Sequence, residues 1–175
     1  MHSITYVPLL LMILIAGSVR FGQESSPGTR LVVSTQQELQ DAIGSEGEAE
    51  RIIKEILTER LTAQAAPRMG APISVNVVAE QLPEAWLPTL NAVRIQRVPL
   101  AEARAGWERG CLSLLRVLAA KRENDLTLTV TEGHRCTTAG GDYLFDLRAQ
   151  GWVRRGGFGG GFHGVTTDCP CRTTG

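Results

Sequence analysis

Apolar residues change their spacing several times along this chain. Residues 7–17, Val7 to Gly17, are almost continuously apolar. That is the length of a signal-peptide core and falls short of the about 20 residues that span a bilayer. Thr35-x-x-Glu38 and Ser45-x-x-Glu48 then carry the signature of capping boxes, in which hydroxyl and carboxylate each satisfy a free backbone N–H. The second opens the clearest helix, with Ala49, Ile52, Ile53, Ile56, Leu57 and Leu61 on one stripe and Glu50 spaced to pair with Lys54. It ends before Pro67 and should cover the face of a sheet.

Period-two alternation predicts short strands at Ile73-Ser74-Val75-Asn76-Val77 and Ala92-Val93-Arg94-Ile95-Gln96, with Pro83 and Pro88 breaking the segment between them. Trp86, between those prolines, reads as a plug over one end of the core. Leu100, Ala103 and Trp107 fall at helical spacing behind Pro99. From Cys111 to Arg155 an antiparallel meander is expected, with Leu112 to Ala120 read as strand although Leu114, Leu115 and Leu118 also fit a helix. Leu126, Leu128 and Val130 alternate with threonines. A further strand starts at Gly141-Asp142, and Ala149-Gln150-Gly151 turns it into Trp152-Val153-Arg154.

A two-residue turn at Glu123-Asn124 would set Val117 opposite Val130, Ala119 opposite Leu128 and Cys111 opposite Cys136. Opposed residues have Cα atoms about 4.5–5.5 Å apart, within disulfide reach. Cys169 and Cys171 remain, to close on each other or to exchange partners with the hairpin pair. Four cysteines allow three connectivities. An exported chain oxidises its thiols, so Cys111, Cys136, Cys169 and Cys171 are the candidate site residues, as disulfides.

Eighteen basic and eighteen acidic residues cancel, without a run of like charge, so electrostatic attraction to nucleic acid or to a membrane surface has no support. Only Lys54 and Lys121 among those cations are lysine, which reads as genome composition. Gly159, Gly161 and Gly164 satisfy G-x-G-x-x-G, but Val165 to Pro170 lacks the length of the helix that pattern needs, so the glycines read as a flexible crossing pinned by Phe158 and Phe162. His134, Cys136, His163, Cys169 and Cys171 hold zinc-ligand chemistry at spacings tighter than structural sites use. A cysteine nucleophile with His163 and Asp168 would need a thiolate that disulfides consume. Asp142 and Asp146 share a strand face and are expected in water. No catalytic residue, cofactor or metal site is assigned.

The expected organisation is a signal peptide over 1–22, a flexible mature N-terminus over 23–34 and one domain over 35–175 with a Gly-rich Cys-Pro-Cys tail at 156–175. The fold class is α+β, N-terminal helices packed on an antiparallel sheet of four to six strands. Leu126 to Thr131, Gly141-Asp142-Tyr143-Leu144-Phe145-Asp146-Leu147 and Gly151-Trp152-Val153 together resemble the last strands of the nuclear transport factor 2-like superfamily. That resemblance implies helices inside a curved sheet, forming a cone whose mouth often binds small molecules. It covers about a quarter of the chain and carries over no acid or base residue. The expected function is an exported, non-enzymatic binding or structural domain held by disulfides, of unknown partner. The alternatives are a small-molecule pocket protein or enzyme of the cone-shaped class, and a thiol or metal site at the tail.

Overall fold

A computed structural model describes residues 31–67, 72–135 and 137–157, together with the backbone of 161–165. The expected signal peptide lies outside them. Helix α1 (Gln36–Ile43) starts with a complete capping box: the Thr35 hydroxyl accepts from the Glu38 N–H, and the Glu38 carboxylate accepts from the Thr35 N–H at 2.6 Å. Helix α2 (Glu46–Ala65) has half of one. The Ser45 hydroxyl accepts from the Glu48 N–H at 3.3 Å, but the Glu48 carboxylate instead accepts from the backbone N–H of Trp152 at 2.9 Å. A tertiary donor has outcompeted the local one, and it ties α2 to the far edge of the sheet. Gly151, at φ 103°, makes this approach possible, since a Cβ there would stand 2.5 Å from that carboxylate.

The strands are β1 (Ile73–Val78), β2 (Val93–Val98), β3 (Leu114–Arg122), β4 (Asp125–His134), β5 (Thr137–Arg148), β6 (Gly151–Gly157) and β7 (Gly161–Val165), with α3 (Leu100–Glu108) between β2 and β3. The order across the sheet is β2-β1-β3-β4-β5-β6, and β7 joins β5 beyond the end of β6. This corrects the expected antiparallel sheet: β2, β1 and β3 run parallel, and only β3 onward is a meander. The connection from β1 to β2 crosses one face, and α3, returning from β2 to β3 in the opposite direction, crosses the other. Opposite directions on opposite faces are what a single hand of crossover requires. Strand β5 begins at Thr137, earlier than expected, because Gly140 and Gly141 lie within the ladder rather than before it. The expected flexible glycine crossing is also corrected, since Gly161 and Gly164 belong to β7, paired with β5.

The meander register agrees with the sequence reading. Arg122 pairs with Asp125 across Glu123-Asn124, with Val117 opposite Val130 and Ala119 opposite Leu128. Glu123 takes the left-handed φ of 46° that the turn demands.

Two apolar layers sandwich the sheet. On the inner face the α2 stripe meets Leu115, Val117, Leu126, Leu128, Val130, Tyr143 and Phe145, and Trp86 plugs this core at 1 % exposure. On the outer face α3 lays Ala103 and Trp107 on Val78, Val98 and Leu114. Leu31, within the stretch over 23–34 expected to be flexible, is buried in that second layer.

Strands β1 and β3 touch through the single pair Val77↔Leu115. Beyond that pair Gln81, 1 % exposed, takes the place of a strand. Its Nε2 donates to the Val117 carbonyl at 2.6 Å and to the Ser34 carbonyl at 2.8 Å, and its Oε1 accepts from the Val117 N–H at 3.1 Å. The amide thus satisfies both backbone groups of a buried strand residue.

Candidate functional site

The inner face is apolar over most of its length and turns polar at the end where α2 finishes. Inward positions on β4 run Leu126, Leu128, Val130 and then Glu132. Helix α2 carries Leu57 and Leu61 and then Gln64, one turn beyond the buried Arg60. The two polar ends meet: Gln64 Nε2 donates to Glu132 Oε2. A carboxylate only accepts, so this contact fixes which way the amide faces and leaves Gln64 Oε1 turned away, buried and without a hydrogen-bond partner. Beside the pair lies a cleft of about 200 Å³ lined by Gln64, Ile73, Ser74, Val75 and Glu132.

A second polar group closes the inner face on the β6 side. Arg154 lies over the Tyr143 ring, 4.9 Å from its centroid, and donates from Nη2 to Glu59 Oε1 at 3.0 Å. That guanidinium hydrogen bond holds the Glu59 carboxyl below its ordinary range, and the Glu59 contact in turn raises the Arg154 pKa. Burial, then the Glu59 charge, pushes the Tyr143 phenol up, so it stays protonated at neutral pH. Helix and sheet are tied here by a charge pair braced on an aromatic ring.

Of the four cysteines, Cys111 is described and is disulfide-bonded. Cys136, Cys169 and Cys171 lie outside the described residues, as do Phe158, Gly159 and Asp168. The Arg135 guanidinium donates to the Glu108 carbonyl at 2.8 Å, fastening the β4–β5 turn to the end of α3 just before Cys111. His134 closes β4 opposite Thr137, and the backbone of His163 pairs with that of Thr138. Among the described residues no group of three His, Cys, Asp or Glu side chains forms a metal cage. The exposed Asp142 accepts from Thr129 Oγ1 at 2.6 Å, whereas Asp146 pairs with Arg148 at 2.9 Å and Arg155 at 3.2 Å. The two acids serve separate surface contacts.

Arg116 is anomalous on the outer face. Its guanidinium stacks on Trp107, 4.3 Å from the ring centroid, and burial pulls its pKa down to about 10. Its Nε is buried without a hydrogen-bond partner.

Sequence reasoning missed Gln64, Glu132 and Gln81. Glu132 was findable, because the alternation from Leu126 to Val130, carried one step further, sets a carboxylate at a core-facing position. Gln64 sits on the flank of the α2 stripe, and only the approach of β4 gives it a role. No protein family, curated protein or solved structure matches this chain.

Proposed function

We propose that the chain is an exported domain, held by disulfides, that acts by binding rather than by turning over a substrate. The observation that carries this reading is the disulfide at Cys111, because such bonds persist where thiols oxidise and are rare in reducing compartments. Cys136 is the partner we assign. As far as Leu114↔Gly133 the β3–β4 ladder keeps the register that the sequence reading extends to 111 and 136. The Arg135 contact with Glu108 independently draws the same turn to the same helix end. Cys169 and Cys171 are then left to pair with each other.

A role without turnover is supported by what fills the inner face, where a cone-shaped fold keeps its pocket. Leu39, Ile53, Ile56, Leu57, Trp86 and Phe145 occupy that space, and the cleft at Gln64 and Glu132 is small. That cleft is the feature favouring the second reading, a small-molecule pocket protein or enzyme of the cone-shaped class.

Intact mass of the purified protein after alkylation, with and without reductant, tests the proposal. No alkylation before reduction and four modified cysteines after it are expected; four reactive thiols in the unreduced protein would overturn it. A peptide map joining Cys111 to Cys169 or Cys171 would overturn the pairing.

A further inference from the structure

The inner-face cleft has a one-sided chemistry. Glu132 presents a half-buried carboxylate with one oxygen engaged by Gln64, and among the described residues no cation pairs with it. Gln64 Oε1 is a buried acceptor without a partner. Ile73 and Val75 supply an apolar wall. Unsatisfied buried acceptors are costly, and a carboxylate in a half-desolvated cleft attracts a donor that carries charge. A volume of about 200 Å³ lies below the range of drug-sized sites but admits one short side chain or a small amine.

We infer that this cleft receives a single basic group, an alkylammonium or guanidinium on a short apolar stem. The cation sits on Glu132, reaches Gln64 Oε1 with a remaining N–H and lays its stem on Ile73 and Val75. An anion of the same size is repelled by the Glu132 carboxylate, and a neutral acceptor gains no charge contact there. The inference rests on the reading of a binding domain and names its ligand chemistry. The disulfide experiment and the one below can fail separately, since sulfur chemistry at Cys111 does not involve this cleft.

The test is a titration of the full-length oxidised protein, followed by backbone amide shifts, with n-butylammonium, N-methylguanidinium and, as the stem-matched anion, butyrate. Saturable shifts at Gln64, Ser74, Val75 and Glu132 are expected with the two cations and not with butyrate. Glu132→Gln, which keeps the shape and removes the charge, should weaken the cations by at least about tenfold, the effect of losing one charge-assisted hydrogen bond. Nα-acetyl-lysine amide separates the sources: binding at least as tight as n-butylammonium assigns the cleft to a basic side chain of a partner, and weaker binding to a free amine. Equal shifts with butyrate, unchanged affinity in Glu132→Gln, or no shifts with any of them would overturn the inference.

Discussion

Replacing Gln81 by methionine should be among the most damaging conservative changes in this protein. Methionine is unbranched and of similar length, so the packing volume is nearly kept while every polar contact disappears. Gln81 makes three hydrogen bonds, two of them to the N–H and C=O of Val117 in the buried middle of β3. Each buried backbone group left unpaired costs about 1–3 kcal/mol, and the part-buried Ser34 carbonyl adds less because water reaches it. The expected loss is therefore about 3–5 kcal/mol, out of the about 5–15 kcal/mol that holds a domain of this size. With a urea dependence of about 2 kcal/mol per molar, the unfolding midpoint falls by about 1.5–2.5 M. Urea unfolding followed by far-ultraviolet circular dichroism measures it, and hydrogen exchange at the Val117 amide should lose protection in parallel. A midpoint shift below about 0.3 M, or unchanged Val117 exchange, would refute the view that this side chain substitutes for a strand.

Other substitutions probe separate links. Thr35→Ala removes the capping box of α1 and should lower stability by about 1 kcal/mol in the same unfolding assay. Arg116→Met removes a desolvated charge that has no ion-pair partner among the described residues, at the expense of a stacking contact of about 0.5–1 kcal/mol. Its melting temperature should hold or rise, and a loss above about 2 kcal/mol would contradict the electrostatic argument. For Glu59 the folded pKa is lowered, so its pairing with Arg154 contributes above glutamate's ordinary 4.5 and is lost as pH falls through the lowered value. Both side chains are partly exposed, at 45 % and 26 %, which limits the contribution to about 0.5 kcal/mol. Wild type and Glu59→Gln should differ by that amount at pH 7 and converge as the pH falls through the lowered Glu59 pKa, in paired urea titrations. Trp86→Ala removes the largest fully buried side chain among the described residues and should cost about 3–5 kcal/mol, read as a lowered melting temperature.

Local pattern was enough to read most of the elements, though not β7, whose glycines read as a flexible crossing. The α2 stripe from Ala49 to Leu61, the β3–β4 turn at Glu123-Asn124 and the pairing of Val117 with Val130 all follow from periodicity and turn chemistry, which act between neighbours in sequence. The parallel arrangement of β1, β2 and β3 could not be read this way. Strand direction there depends on which face each crossover covers, and short alternating runs such as Ile73 to Val77 look alike in either orientation. Polar side chains were the least legible, for the same reason. Glu38 completes its cap locally, whereas Glu48, with the same sequence signature, leaves it for Trp152 because only the folded chain brings that donor within reach. Gln81, Gln64 and Glu132 gain their roles from partners 36 to 68 residues away. The sequence thus determined the helices, the hairpins and the register of the meander, while tertiary structure decided the sheet order and the partners of Gln81, Gln64 and Glu48. A hydrogen bond needs a particular atom at a particular place, and local periodicity supplies only a face.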